Sequence, residues 1–304
     1  MSSSKLGLAL GSGSARGWAH IGVIHALAEH GLRPSVVAGA SVGSLVSAAY
    51  ASGQLQTLEN WVCTLTQLDV WRLVDATFLG GGLMSGNRLM TAISERIGDT
   101  DIENLPVAFG AVATDLYTGE EIWLRAGPMM QAVRASSGLP GLFAPTWHRD
   151  RWLIDGGVVN PVPVSLCRAL GADSVIAVDL SRSVTRSALR PGAAAAPPAA
   201  PAVASSEGSA ILKKWSGLVD GLVESFRSKR DEPGLFEVMS GSVNIMQDRI
   251  TRSRFALDPA ELVLHPVLDD FQLMDFHRAR EAIAAGRACV EQAAARLQPF
   301  VGQN

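Results

Sequence analysis

The residue best placed to act as a nucleophile in this chain of 304 residues is Ser41, within Gly39-Ala-Ser-Val-Gly43. This sequence follows a short apolar run, Val36–Ala38, and precedes small and apolar residues, Ser44–Ser52, so it is predicted to join a strand to a helix. Such a turn presents its serine on a sharp, strained backbone, and its flanking positions must be glycine to avoid clashes. The pattern favours a nucleophilic serine, and the alternative is an ordinary turn with a helix-capping serine.

A glycine-rich loop, Gly11-Ser-Gly-Ser-Ala-Arg-Gly17, directly follows the apolar run Leu6–Leu10. Its backbone amides suit either a phosphate or an oxyanion. A dinucleotide fingerprint would need glycine where Arg16 stands and an acidic residue after the second strand, where Ser41 stands instead. The loop is therefore predicted to form an oxyanion hole beside Ser41, built from these residues: Gly11, Ser12, Gly13, Ser14 and Arg16.

A third motif, Asp155-Gly156-Gly157, follows the predicted strand Trp152–Ile154. A carboxylate at a strand end, followed by two glycines, suits a catalytic base. Considered alone, the motif is more often a plain β-turn, because Asp-Gly turns are common.

The histidines do not supply an obvious base. The six are His20, His25, His30, His148, His265 and His277. The first three recur every five residues, about 140° apart on a helix, so they form no metal-binding face. His265 would complete the Ser–Asp–His order of an α/β-hydrolase, but that fold places several strands before its nucleophile and here only two fit. Asp155 remains as a direct base.

Strands and helices alternate along the chain, which predicts an α/β fold with a mostly parallel central sheet and helices on both faces. The predicted strands are Leu6–Leu10, Val36–Ala38, Val107–Ala113, Glu121–Leu124, Trp152–Ile154, Ser174–Asp179 and Leu262–His265. The predicted helices are Gly17–His30, Ser44–Ser52, Ile211–Arg230, Leu235–Arg252 and Phe276–Leu297. We divide the chain into a core (5–186), an Ala/Pro-rich mobile linker or lid hinge (187–208) and a helical C-terminal part of the same domain (209–304).

Composition excludes several classes of protein. The net charge of −3 and the low aromatic content, 6%, argue against a nucleic-acid partner. The three widely spaced cysteines indicate neither a disulfide framework nor a zinc site, so no metal and no cofactor are expected. No apolar run reaches the roughly 18–20 residues of a membrane span, so a cytoplasmic protein is expected. The helix Ile211–Arg230 has a Trp/Phe face and a basic edge that suit peripheral membrane contact, although packing on the core is the favoured alternative. The sequence carries no signal for the oligomeric state.

Taken together, the glycine loop, the Ser41 motif and the Asp155 motif resemble the patatin-like phospholipases, most closely small bacterial members related to the neuropathy target esterase branch. Ala113–Leu116 and Ser136–Pro145 match as well, and the resemblance covers roughly residues 5–179. It implies a three-layer α/β/α fold and a Ser–Asp dyad without histidine, with Ser41 as nucleophile and Asp155 as base. One departure is Ser12, which replaces the middle one of three glycines common in the family's loop.

The resemblance implies a lipid acyl hydrolase that acts on a long-chain acyl ester such as a phospholipid or lysophospholipid. Two apolar segments, Leu139–Phe143 and Leu79–Met84, are candidates to line an acyl pocket. Two alternatives stay open. One is a regulatory or adaptor protein that keeps the fold without catalysis, and the other is an NAD(P)-binding protein, which the missing acidic residue disfavours.

Overall fold

A computed structural model describes residues 4–73, 82–181 and 235–301. Within these residues the strands are β1 Leu6–Leu10, β2 Val36–Ala40, β3 Gly82–Met84, β4 Ala108–Asp115, β5 Glu121–Leu124, β6 Gly141–Phe143, β7 Thr146–His148, β8 Arg151–Asp155, β9 Ser174–Val178 and β10 Leu262–Leu264. The helices are α1 Ala19–Glu29, α2 Val42–Ala51, α3 Leu55–Val62, α4 Gln67–Leu73, α5 Asn87–Ile97, α6 Met129–Ser136, α7 Val164–Ala169, α8 Leu235–Leu257, α9 Ala279–Gln292 and α10 Ala294–Leu297.

In the described part of the chain, eight strands form one sheet in the order β10-β9-β1-β2-β4-β8-β7, with β5 also paired to β4. The five strands from β10 to β4 are parallel, so their carboxyl ends meet at one edge. The loops that follow β1, β2 and β9 therefore converge there, which confirms the predicted α/β fold.

The far end of the sheet is antiparallel, so the sheet is mixed. β8 runs antiparallel to both β4 and β7. The turn between β7 and β8 consists of Arg149 and Asp150, both with positive φ (45° and 64°), the backbone of a tight two-residue hairpin. A hairpin this short forces its strands to be antiparallel. Since β8 also runs antiparallel to β4, it enters from the carboxyl edge of the parallel strands and ends at Asp155.

Apolar side chains form a core on each face of the sheet. In β1, Leu8 and Leu10 belong to one cluster while Ala9 belongs to the other, as alternating strand side chains require. α1, α2 and α9 cover the first face, and α7 covers the second. α1 and α9 can pack closely because glycine stands at their crossing. A Cβ at Gly22 would overlap the Ile283 carbonyl, and a Cβ at Gly286 would overlap the Ala19 carbonyl.

Several predicted boundaries shift. The predicted helix Gly17–His30 begins as a 3-10 turn, Ser14–Trp18, that leads into α1. The predicted helix Phe276–Leu297 is divided into a 3-10 turn, Phe276–Arg278, followed by α9 and α10. The predicted linker (187–208) and the predicted helix at 211–230 lie outside the described residues, as do residues 79–81.

Candidate active site

Ser41 alone forms the turn between β2 and α2. Its backbone has φ 56° and ψ −130°. Residues other than glycine rarely adopt this conformation, which costs on the order of 1–3 kcal/mol. Both neighbouring glycines are required by packing. A Cβ at Gly39 would overlap the backbone of Gly43 and Ser44, and a Cβ at Gly43 would overlap the Leu10 carbonyl.

The strained turn is held by hydrogen bonds to neighbouring serines. The Ser41 amide donates to Ser136 Oγ at 3.0 Å, and Ser44 Oγ donates to the Ser41 carbonyl at 2.6 Å. Just beyond Ser136, the Gly138 carbonyl accepts from the Asp155 amide at 3.0 Å. The segment after α6 therefore contacts both the Ser41 turn and the end of β8.

Sheet register brings Asp155 to the level of Ser41. Ala40 lies opposite Val112 on one side of β4, and Asp155 lies opposite Ala113 on the other. The residue after Ala40 and the residue at the end of β8 thus share one level across β4.

The Asp155 side chain is fully buried. Burial raises its pKa to about 6, and the nearby Ser41 hydroxyl and the Gly157 amide oppose part of this rise. Oδ1 accepts from the Gly157 amide at 2.7 Å, while Oδ2 has no fully formed hydrogen bond among the described residues. The Ser41 hydroxyl is thus close enough to affect the carboxyl without completing a bond of good geometry. Gly156 is required for backbone contact, since a Cβ there would overlap the Val112 carbonyl.

The glycine loop divides its amides between anchoring and open positions. The Gly11 amide donates to the Val178 carbonyl at 3.0 Å and the Ser12 amide to the Pro161 carbonyl at 2.9 Å. In contrast, the amides of Gly13 and Ser14 have no hydrogen-bond acceptor within the described residues. Of the predicted oxyanion residues, Gly13 and Ser14 therefore retain free amide donors, whereas Gly11 and Ser12 hold the loop in place.

Arg16 is buried beneath this loop and supports it. Its Nε donates to the Gly13 carbonyl at 3.1 Å, and Nη2 donates to Asn244 Oδ1 at 2.9 Å. Burial lowers its pKa to about 10, and the negative charge of Asp179 acts in the opposite direction. Arg16 is therefore still a cation at neutral pH, and its bond to the Gly13 carbonyl fixes the peptide unit that carries the open Ser14 amide.

Ser41 and the loop residues Ser12, Gly13, Ser14 and Arg16 line a cavity of about 1120 Å³, including its open mouth. Most of the remaining wall is apolar. The larger side chains are Trp18, Leu45, Trp61, Leu89, Met90, Leu139, Phe143 and Phe276. Leu139 and Phe143 come from one of the two segments predicted to line an acyl pocket. The cavity can hold a long apolar chain next to the Ser41 hydroxyl.

A family model for the patatin-like phospholipases matches residues 8–168 of this sequence, a span that includes Ser41, the glycine loop and Asp155. This chain belongs to the patatin-like phospholipase family.

Relatives within the family include uncharacterized NTE family proteins of Mycobacterium tuberculosis and Mycobacterium bovis, each 36% identical over 96% of this chain and 92% of their own length. Lysophospholipase NTE1 of Coccidioides immitis is 27% identical over 92% of this chain, which spans 17% of that protein. The crystal structure of VipD from Legionella pneumophila is similar with a TM-score of 0.52 and 14% identity, over 95% of this chain and 66% of VipD. At that identity the likeness shows the fold alone.

The histidines of this patatin-like chain whose partners the structure gives bond to groups other than the two candidate catalytic residues. His20 is buried and its Nε2 lies 2.8 Å from the Gly11 carbonyl; burial lowers its pKa to about 4, so a neutral ring donates this bond. His265 Nδ1 lies 3.4 Å from Asp179 Oδ2. Within the described structure no histidine hydrogen-bonds Ser41 or Asp155.

Sequence reasoning missed three contributors to the patatin-like site. Gln247 Nε2 donates to Ser12 Oγ at 3.3 Å, and Asn244 accepts from Arg16; both come from α8. Asp179, buried next to the loop, follows β9. The signal for Asp179 was available, since it follows a strand parallel to β1, but the α8 residues had no sequence signal of proximity.

Two further observations concern the described residues only. No group of His, Cys, Asp or Glu side chains is arranged to hold a metal ion, and no helix has the length and apolarity needed to cross a bilayer.

Proposed function

We propose that this protein is a serine lipid acyl hydrolase in which Ser41 is the nucleophile and Asp155 is the general base. One observation carries the proposal: a fully buried carboxyl, with its pKa raised to about 6, faces a serine on a strained turn that opens into an apolar cavity. Burial makes Asp155 a stronger base than an ordinary aspartate, while leaving it largely ionised at neutral pH.

In the proposed mechanism Asp155 accepts the Ser41 proton as the serine oxygen attacks the ester carbonyl carbon. The open amides of Gly13 and Ser14 stabilise the resulting oxyanion, and one such donor is typically worth about 10²–10³ in kcat. Asp155 then gives its proton to the departing alcohol, which leaves an acyl ester on Ser41. In the second half, Asp155 takes a proton from water, hydroxide attacks the acyl carbon, and the fatty acid leaves as Ser41 regains its proton.

The substrate class follows from the cavity wall and from the relatives. A long acyl chain matches the apolar lining, and one relative is named a lysophospholipase. We therefore propose a phospholipid or lysophospholipid as substrate. Peripheral membrane contact through residues 211–230 stays a separate proposal.

Labelling with a fluorophosphonate probe, followed by peptide mapping, tests the nucleophile. We expect modification at Ser41 and none in Ser41→Ala. Ser137→Ala is the matched control, because Ser137 also lines the cavity but does not form the turn. Folded protein with Ser41 intact that fails to react with the probe, or that reacts at another residue, would refute the proposal and favour a regulatory protein on the same fold. A lipid panel would then compare phospholipids with lysophospholipids.

A further inference from the structure

Helix α8 forms part of the cavity wall, and two of the three side chains that it contributes are polar. Val243, Asn244 and Gln247 line the cavity. Gln247 donates to Ser12 Oγ, and Asn244 accepts from Arg16, so the inner face of α8 contacts the glycine loop directly. A helix on a water-soluble surface usually shows the opposite arrangement, with apolar residues inward.

Large apolar side chains of α8 face outward instead. Val238, Met239, Ile245 and Met246 are 48%, 38%, 54% and 54% exposed, and the end of the Met239 side chain also packs over Gly141. The spacing of seven between Val238 and Ile245, and between Met239 and Met246, places them on one side of the helix. Clustered apolar exposure at the rim of a cavity indicates an interaction surface.

A positive charge continues this surface. Arg249 is exposed and has no ion-pair partner among the described residues; it lies four residues, or about one turn, after Ile245. From Val238 to Leu257 the only acidic residue of the sequence is Asp248, which is buried and pairs with Arg252 at 3.0 Å. The surface thus combines exposed apolar side chains with positive charge, and between Val238 and Leu257 helix α8 exposes no acidic side chain.

A second element contributes to the same rim. Leu68 of α4 is 56% exposed, and Val70 and Leu73 of that helix line the cavity. Exposed apolar residues therefore come from two helices that both line the cavity.

We infer that the α8 outer face, defined as Val238, Met239, Ile245, Met246 and Arg249, docks on a lipid surface that carries anionic headgroups. The apolar side chains enter the boundary between headgroups and acyl chains, and Arg249 pairs with lipid phosphate. Docking in this way sets the cavity mouth against the lipid. If the proposed function holds, an acyl ester then reaches Ser41 without crossing water; the docking itself does not depend on that function.

Vesicle sedimentation tests this surface. Full-length protein carrying Ser41→Ala, to prevent hydrolysis, is mixed with vesicles of phosphatidylcholine alone or with an equal part of phosphatidylglycerol. We expect binding to the anionic vesicles, weakened about tenfold or more by Ile245→Ser with Met246→Ser, and by Arg249→Glu. The effect of Arg249→Glu should vanish at high salt.

Leu257→Ser is the matched control. Leu257 is 84% exposed at the end of α8, about 17 Å beyond Met246. After Leu257 the chain leads to the start of β10, at the amino ends of the parallel strands and away from the carboxyl edge. This variant should bind like the parent protein. Thermal melting of every variant checks folding, and Ile245→Ser alone replaces the double variant if the latter melts early.

Two results would overturn the inference. The parent protein fails to bind anionic vesicles, or the double variant binds as the parent does. In the second case, a change in the elution volume of the double variant would assign the face to contact with a second copy of this chain. Hydrolysis of a soluble short-chain ester by protein with intact Ser41 is measured in parallel, so that vesicle binding without hydrolysis would refute the proposed function while leaving the docking face standing.

Discussion

Two buried carboxylates, Asp155 and Asp179, lie at strand ends on the same edge of the sheet, but their pKa values are shifted in opposite directions. Burial raises the pKa of both. For Asp155 it prevails, and the pKa reaches about 6. For Asp179, hydrogen bonds from His265 and from the hydroxyl and amide of Ser181 outweigh burial, and its pKa lies below the ordinary value. Burial dominates at Asp155, whereas the bonded partners dominate at Asp179, so the two buried carboxyls have pKa values shifted in opposite directions.

The largest test of this contrast is Asp155→Asn. The amide cannot accept the Ser41 proton, so we expect kcat on a soluble ester to fall by about 10³ or more. The free energy of unfolding should stay equal or rise at pH 8, because a buried ionised group is removed. Retention of a tenth of the activity by a folded variant would contradict the role of Asp155.

The pH dependence of kcat/KM comes next in size. Asp155 must be ionised to act, so kcat/KM should fall about tenfold per pH unit below a pKa of about 6. A profile that stays flat down to pH 5 would exclude Asp155 as the base.

Stability responds to the same two groups with opposite sign. The folded state holds the Asp155 proton up to about pH 6, whereas an unfolded aspartate releases it near pH 4, so Asp155 lowers stability as pH rises through this window. Asp179, with a lowered folded pKa, stabilises above the unfolded value, and its contribution is lost as pH falls through the folded pKa. Urea unfolding between pH 4 and 7 should show the first slope disappear in Asp155→Asn and persist in Asp179→Asn.

Asp179→Asn should reverse the pattern of effects seen at Asp155. The buried Arg16 cation loses its compensating charge, so we expect a loss of about 2–4 kcal/mol in the free energy of unfolding. The loss of kcat should be smaller than in Asp155→Asn, since Asp179 acts on the loop only through Arg16. Ser181→Ala, which removes one bond to the same carboxylate, is the control and should cost about 1 kcal/mol.

The smallest expected effect is that of Ser12→Gly, which restores the glycine common at this position in the family. The Ser12 amide, already bonded to the Pro161 carbonyl, is retained, and the hydrogen bond from Gln247 is lost. We expect a change of about 1 kcal/mol in stability and little change in kcat. A large drop in kcat would show that the Ser12 hydroxyl takes part in the chemistry.

The local parts of the site were predictable from the sequence. Gly39, Ser41 and Gly43 could be identified because a strand-to-helix turn of this sharpness imposes its own residue types. The antiparallel direction of β8 was not predictable from the alternation of strands and helices, since it is set by the pairing of β8 with β4, a strand distant in the sequence.

Contacts between distant parts of the chain were beyond sequence patterns. Arg16 was assigned to the oxyanion hole with its neighbours, but its place depends on Asn244, which lies 228 residues away. The electrostatic effect of Asp179 on the buried Arg16 is equally non-local. Periodicity and turn chemistry describe segments of about ten residues, and they carry no information on which segments meet.

The close crossing of α1 and α9, at Gly22 and Gly286, has a consequence for biosynthesis. α1 follows the glycine loop at the start of the chain, while its partner helix is translated more than 250 residues later. Until that helix leaves the ribosome, the apolar flank of α1 stays uncovered, so the glycine loop, the first motif of the candidate site to be synthesised, is among the last to be fully supported.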